Sequence, residues 1–180
     1  GGNEALLGAV REDPTIRELI LSGGDPLMLR DDALARLIDD IAAIGHVRRP
    51  RVHTRLPVTI PARLTAALPN ALTRSPLTST TVVHINHPHE IDEELREALR
   101  ATARAGIPLL NQSVLLRGIN DDPDVLARLS EELFDAAVLP YYVHLLDPVQ
   151  GAAHFDVDEA TARRLARNLR DTLPGYLVPR

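Results

Sequence analysis

The sequence of 180 residues contains no cysteine and no lysine. Without cysteine, disulfides, thiol nucleophiles and iron–sulfur clusters held by thiolates are excluded within these residues. All 20 cationic side chains are arginine, so no Schiff base can form on a side-chain amine of this chain.

Long apolar runs and an excess of positive charge are also missing. No run approaches the roughly 20 apolar residues that a membrane helix needs, and the start, Gly1-Gly2-Asn3, lacks the basic and apolar regions of a signal peptide. We therefore expect a cytoplasmic location and no membrane partner. The formal net charge of −5 argues against a nucleic-acid partner.

Stretches with strand character and stretches with helix character alternate five times along the chain. This pattern predicts one α/β domain over residues 1–180, with about five parallel strands and helical crossovers. The predicted strands are residues 17–22, 51–55, 80–86, 107–114 and 137–143, with a further extended segment at 176–178. The predicted helices include 31–44, capped by Asp31 or Asp32, then 90–105, 122–135 capped by Asp122, and 158–173.

Both a partial barrel and an open doubly wound sheet fit this alternation. The barrel is favoured because polar residues recur where successive strands end, and the C-terminal rim of a barrel carries its site. In an open sheet, only the strands near the switch point need such ends. We expect the polar ends to converge on one cavity. They are Asp25 and residues 53–55, 84–86, 111–113 and 144–147.

The double glycine Gly23-Gly24 follows the first predicted strand and precedes Asp25. Glycine has no Cβ, so this turn can present bare backbone N–H and C=O groups to a small molecule. Taken alone, such a turn is more often a plain connection between a strand and a helix.

Other polar residues at the strand ends have both a binding and a structural interpretation. The guanidinium of Arg55 can hold a carboxylate or a phosphate, or belong to an ordinary loop. His84 and Asn86 share one strand face and either point into the barrel or lie in the core. Gln112 interrupts an apolar strand, so it faces a ligand cavity or bonds to backbone, and the cavity is favoured. Asp147 suits an ammonium group, or forms a simple turn.

A metal site is a further interpretation of the segment that contains His84, His87, His89 and Glu90. Pro88 interrupts the segment, and three convergent ligands are not apparent from the spacing. The structural interpretation of these residues is therefore favoured.

Several blocks of the sequence resemble the lysine 2,3-aminomutases, which are radical S-adenosylmethionine (SAM) enzymes. The resemblance covers essentially the whole chain in order, and residues 144–155 are most similar to the branch that makes β-lysine for elongation factor P. It implies a partial (β/α)6 barrel and an isomerase that moves the amino group of L-lysine from C2 to C3. The implied cofactors are a [4Fe–4S] cluster, SAM and pyridoxal phosphate, and a homo-oligomer is left open. The blocks are residues 21–27, 51–57, 84–87, 110–121 and 140–142.

The resemblance also implies roles for residues of the first two strand ends. Gly23, Gly24 and Asp25 match the turn that contacts the methionine part of SAM. Thr54 and Arg55 match residues near the same ligand.

Three further residues match positions of the family's pocket. His84 and Gln112 match residues that contact the nucleoside part of SAM or the adjoining pyridoxal phosphate. Asp147 matches the carboxylate that binds the distal amine of lysine.

The sequence departs from the family in two motifs. The family's Cys-x-x-x-Cys-x-x-Cys motif precedes the first strand, and its pyridoxal-phosphate lysine follows the segment 175–179; neither occurs here. We therefore expect the central part of a barrel truncated at both ends, inactive alone, with no catalytic residue and no metal ligand of its own. The alternatives are a non-catalytic SAM-binding or scaffold half-barrel, and an unrelated metal-dependent barrel enzyme.

Overall fold

The computed structural model describes residues 2–64, 67–148 and 150–180. Five parallel strands alternate with helices, which confirms the predicted α/β class. The strands are β1 (Glu18–Leu21), β2 (Arg49–Thr54), β3 (Thr80–Val83), β4 (Leu109–Val114) and β5 (Leu139–His144). The helices are α1 (Gly2–Glu12), α2 (Asp31–Ala42), α3 (Leu56–Thr59), α4 (Ala67–Thr73), α5 (Glu93–Arg104), α6 (Pro123–Asp135) and α7 (Glu159–Thr172). Short 3₁₀ turns lie at Pro26–Met28, Pro61–Arg63, Pro88–Glu90, Ala153–Phe155 and Gly175–Leu177.

The strands lie in the sheet in the order in which they occur in the chain, and every neighbouring pair is parallel. In a doubly wound sheet the order reverses at a switch point. Here it does not reverse, so each crossover leads to the adjacent strand, as in a barrel. The fold is therefore that of a partial barrel, and the C-terminal ends of all five strands lie along one rim.

The main core lies between one face of the sheet and helices α2, α4, α5 and α6. Val52, Val83 and Leu109 point from the strands into this core. Because side chains alternate along a strand, their neighbours point to the opposite face, which we call the inner face. The inner face carries Arg51, His53, Val82, His84, Leu110, Gln112, Tyr142 and His144. No helix among the described residues is long and apolar enough to cross a membrane.

The cap of α2 was predicted wrongly, whereas the cap of α6 is confirmed. Arg30 is the N-cap of α2, and no side chain caps the helix. Asp31 and Asp32 lie in its first turn, where negative charge is favourable, and their carboxylates bond to arginines. Asp122 caps α6 as expected, because its carboxylate accepts from the N–H groups of residues 124 and 125.

Several element boundaries also differ from prediction, most of all between β3 and α5. The strand predicted to reach residue 86 ends at Val83, and α5 starts after its cap Asp92, whose carboxylate accepts from the Leu95 N–H at 2.8 Å. Pro88 separates the two, since it has no N–H to continue either element. The segment predicted to be extended at 176–178 begins instead as a 3₁₀ turn.

The backbone of Arg180 continues the sheet beside β5. Its N–H donates to the Tyr141 carbonyl at 2.9 Å, and its carbonyl accepts from the Val143 N–H at 3.0 Å. This is the bonding pattern of a parallel strand neighbour.

Strand β1 lies at the edge of the sheet, where within the described residues it pairs only with β2. Ile20 in this strand is 50% exposed, and an exposed apolar edge promotes association with other chains. We expect the chain to dimerise or aggregate, and Ile20→Lys to shift it towards monomer in sedimentation velocity experiments. The matched control is Ile119→Lys, at an exposed apolar residue in a loop, which should leave association unchanged. A cooperative monomer at all concentrations in the wild-type chain would contradict this prediction.

Candidate functional site

Asp25 joins the end of β1 to the end of β2. Its carboxylate accepts from the backbone N–H groups of Leu27 at 3.0 Å, Arg55 at 2.7 Å and Leu56 at 2.9 Å. The Thr54 hydroxyl, which is buried, donates to the same carboxylate at 2.7 Å. The protein itself thus fills most of the acceptor capacity of Asp25, so this side chain holds the rim together.

These contacts govern the protonation of Asp25. Burial acts to raise the pKa of Asp25, but hydrogen bonds from Thr54, Leu27, Arg55 and Leu56 outweigh it and hold the pKa below its ordinary value. The carboxylate is therefore ionised at neutral pH, when it accepts all of these hydrogen bonds.

The double glycine forms an exposed turn above β1. Gly23 and Gly24 have φ angles of 83° and 114°, which side chains other than glycine rarely adopt. Both glycines line a cavity of about 330 Å³ between β1, α1 and α2. The backbone of the turn is therefore accessible to a small molecule in this cavity.

Arg55 follows β2 and contacts the turn after β3. Its Nη2 lies 3.3 Å from Oε2 of Glu90, whose other oxygen accepts from the Asn86 N–H at 2.9 Å. The Arg55 side chain is 54% exposed. Guanidinium N–H groups that do not face Glu90 are consequently available to an anionic group.

Asn86 does not face the inner side of the barrel as one sequence interpretation had it. It is buried, its amide oxygen accepts from the Val114 N–H at 2.8 Å, and its carbonyl accepts from the amide of Asn120. Asn86 therefore links the ends of β3 and β4. Its role is structural, because its side chain supplies the acceptor for a backbone N–H at the end of β4.

The three polar residues within β4 divide between the two faces of the sheet. Asn111 and Ser113 are buried on the helix side and bond to the backbone of Ile85. Gln112 points to the inner face, and within the described residues its amide makes no hydrogen bond. Gln112 thus faces the inner side, as the favoured interpretation had it, whereas Asn111 and Ser113 bond to backbone.

Gln112, His144 and Asp147 line a second cavity of about 420 Å³ at the end of β4 and β5. Asp147 is exposed, and the His144 ring lies 5.3 Å from the Tyr142 ring, measured between centroids. The Asp147 carboxylate can accept hydrogen bonds from an ammonium group in this cavity, and the Gln112 amide can bond to another polar group of a ligand.

His53 and His84 meet on the inner face between the two cavities. Nε2 of His84 lies 3.4 Å from Nδ1 of His53, and the rings are perpendicular, with centroids 5.5 Å apart. Sequence reasoning singled out His84 but missed this partner. The alternation of side chains within Arg51-Val52-His53 could have indicated this partner, because it places His53 on the face of the sheet that Val52 does not face.

The structure therefore has two cavities along this rim, where the sequence predicted a single one. Gly23 and Gly24 line the first, and Gln112 and Asp147 line the second. His84 directly follows β3, which lies between β1 and β4 in the sheet.

The histidines after β3 do not assemble a metal site in the described part of the chain. Nδ1 of His87 accepts from the His89 N–H at 3.1 Å, and Glu90 bonds to Arg55 and Asn86. No three histidine, aspartate or glutamate side chains of the described residues converge as ligands.

Known proteins resemble this chain in sequence. An L-lysine 2,3-aminomutase of Escherichia coli is 50% identical over 177 residues, which are 98% of this chain and 52% of that protein. The L-lysine 2,3-aminomutase of Haemophilus influenzae is 48% identical over 165 residues, 92% of this chain and 49% of that protein. The chain is similar to the L-lysine 2,3-aminomutases. This confirms the resemblance predicted from the sequence blocks.

The chain spans about half the length of the L-lysine 2,3-aminomutases that it matches. No protein-family model matches it. Among solved structures, SuiB of Streptococcus suis bound to S-adenosylmethionine shares the fold, with a TM-score of 0.68 and 13% identity over 94% of this chain and 40% of that chain. The fold of the described residues is thus shared far beyond the L-lysine 2,3-aminomutases.

Proposed function

We propose that residues 1–180 are the central part of the barrel of an L-lysine 2,3-aminomutase, which interconverts L-lysine and β-lysine. The observation that carries this proposal is the 50% identity to the Escherichia coli enzyme over 177 residues. The polar rim of the described residues agrees with such a role, because it offers groups of both charges to an amino acid.

The double-glycine turn is proposed to bind the methionine part of SAM. Gly23 and Gly24 offer backbone N–H and C=O groups, which suit the ammonium and carboxylate groups of an amino acid. Asp25 is proposed to position this turn rather than to contact the ligand, since its carboxylate already accepts from three backbone N–H groups and Thr54. Thr54 thus supports the site through Asp25.

The second cavity is proposed to bind L-lysine. Asp147 lines this cavity and matches the distal ammonium in charge. Arg55 lies outside its lining and is proposed to lie near SAM, where it offers a guanidinium fork to a carboxylate or a phosphate. His84 and Gln112 lie between these charges on the inner face and are proposed to contact the nucleoside of SAM or pyridoxal phosphate. Asp147 would thereby favour lysine over acidic amino acids, because its negative charge attracts an ammonium group and repels a carboxylate.

The residues of this chain fit SAM, but the chain lacks the side chains to which the other two implied cofactors attach. A [4Fe–4S] cluster requires thiolates, and the chain has no cysteine. Pyridoxal phosphate requires a lysine amine for its Schiff base, and the chain has no lysine. In such an enzyme SAM would supply the radical that removes a hydrogen atom from the substrate, after accepting one electron from an iron–sulfur cluster that this chain does not hold. The residues described above bind and orient the reactants.

The test is a chimera in which residues 1–180 replace the matching half of the Escherichia coli enzyme. We expect the chimera, reconstituted with its cofactors under anaerobic conditions, to convert L-lysine to β-lysine. The control is the unmodified Escherichia coli enzyme prepared in parallel. A chimera that folds, binds its cofactors and forms no β-lysine would overturn the proposal.

A second candidate function is a SAM-binding half-barrel without radical chemistry. The observation that favours it is the cavity of about 330 Å³ at the double-glycine turn, which the described residues form by themselves. Isothermal titration of the chain with SAM tests this candidate. Gly24→Val is the variant that strains the turn, because a φ of 114° is rarely adopted by a residue with a side chain. Binding by the wild-type chain combined with an inactive chimera would support it, and absence of binding would exclude it.

A further inference from the structure

The imidazoles of His53 and His84 form a pair on the inner face, and the two ring nitrogens that point away from the pair differ in burial. Nδ1 of His53 and Nε2 of His84 are 3.4 Å apart, so one of these atoms donates to the other. Nε2 of His53 is buried and has no hydrogen-bond partner among the described residues. Nδ1 of His84 also makes no hydrogen bond to the described residues, but unlike Nε2 of His53 it is not fully buried.

Charged groups from several elements face this pair. Burial lowers the pKa of His53, as do His84, Arg51 and His144, and only Glu18 opposes them. Burial also lowers the pKa of His84, with Arg55 and His144 acting in the same direction and Asp25 against. Both rings are therefore neutral at pH 7, and each carries one N–H.

Two arrangements of these protons are available. If His84 donates from Nε2, the proton of His53 must lie on its buried Nε2, where the N–H has no acceptor and loses the hydrogen bond that it would make in water. If His53 donates from Nδ1, its buried Nε2 carries only a lone pair. The second arrangement puts the proton of His84 on Nδ1.

We propose that His53 is a positioning residue that holds His84 as its Nδ1–H tautomer, so that His84 offers a hydrogen-bond donor to an acceptor atom of the bound ligand. The acceptor is a ring nitrogen or a hydroxyl, carbonyl or carboxylate oxygen. The existence of a ligand rests on the proposed function, whereas the tautomer of His84 is a property of the ligand-free chain.

Long-range proton–nitrogen NMR correlations on the ¹⁵N-labelled chain at pH 7.5 test this proposal. His84→Gln assigns the signals of His84 by their loss. We expect the Nδ1-protonated pattern for His84 in the wild-type chain. The Nε2-protonated pattern, which free histidine prefers in water, would overturn the proposal.

Two variants of similar size separate positioning from simple packing. His53→Asn places an amide N–H where Nδ1 of His53 lies and should retain the Nδ1–H tautomer of His84. His53→Leu removes the donor, and His84 should revert to the Nε2–H tautomer. The same tautomer in both variants would refute the role of His53, and if His53→Leu fails to fold, the wild-type and His53→Asn spectra still decide it.

Titration with SAM connects the tautomer to binding. We expect His53→Leu to weaken the affinity about tenfold and His53→Asn to leave it within about threefold of wild type, because a lost hydrogen bond of about 1.4 kcal/mol is a factor of ten. Equal affinities in both variants would contradict the ligand contact of His84. Absence of binding in all three proteins would count against the proposed function, while the NMR result alone decides the role of His53.

Discussion

Asp25→Ala is expected to lower the free energy of unfolding by about 2 to 3 kcal/mol in urea titrations at pH 7. The variant leaves the N–H groups of Leu27, Arg55 and Leu56 without their acceptor. Hydrogen bonds to a charged group contribute about 1.5–3 kcal/mol each when shielded from water, and the partial exposure of Asp25 reduces their sum. The loss should loosen the connection between β1 and β2.

Asp25→Asn tests the same contact with the shape retained. An amide replaces one oxygen with a donor, which would then face backbone N–H groups, so we expect a loss similar to that of Asp25→Ala. Because the pKa of Asp25 is lowered in the folded state, its contribution is complete above the unfolded pKa of about 3.9 and is lost as the pH falls through the folded value. The difference between wild type and Asp25→Asn should therefore shrink between pH 5 and pH 2.

The control for this prediction is Asp32→Asn. Asp32 is exposed, and hydrogen bonding to Arg36 lowers its pKa in the same direction, but solvent screens such surface pairs. Its replacement should therefore have a much smaller effect on the unfolding curve than Asp25→Asn. Equal effects of Asp25→Asn and Asp32→Asn would show that Asp25 does not hold the rim together.

Asp147→Asn in the active chimera is expected to lower kcat/KM for L-lysine about 100-fold, which corresponds to about 2.7 kcal/mol. Asparagine keeps the size of the side chain but cannot form the charge-assisted hydrogen bond that a carboxylate makes to an ammonium group. The effect should appear largely in KM, because the distal amine of lysine is held equally in the ground state and in the transition state.

Two measurements distinguish substrate recognition at Asp147 from general damage. Asp156→Asn removes an exposed carboxylate from the same part of the chain that does not line the second cavity, and it should retain wild-type kinetics. Norleucine, which lacks the distal amine, should inhibit wild type and Asp147→Asn about equally. A wild-type KM in Asp147→Asn would exclude Asp147 as the partner of the distal amine.

Local signals in the sequence predicted most of the fold. Asp122 before Pro123 marked the start of α6 correctly, because both residues favour that position through local chemistry. The cap of α2 could not be predicted in this way. The carboxylate of Asp31 bonds to Arg63 at 3.0 Å, a contact between residues 32 positions apart in the sequence that no local pattern reveals.

The site was predictable where it depends on the alternation of side chains and not where it depends on pairing. Gln112 faces the inner side because its neighbours Asn111 and Ser113 are buried, which a period of two anticipates. His53 was among the predicted polar strand ends, but its pairing with His84 was missed because that pairing depends on the register of β2 against β3. The bonding of Asn86 to Val114 likewise follows from tertiary structure alone.

The order of the strands bears on how the chain folds during synthesis. Since each strand docks beside the one that precedes it in the chain, no strand has to be inserted between two that are already paired. On the ribosome the N-terminal part emerges first, so each new strand can pair with the still unpaired edge of the strand before it. Growth of the sheet can thus keep pace with translation, from β1 towards β5.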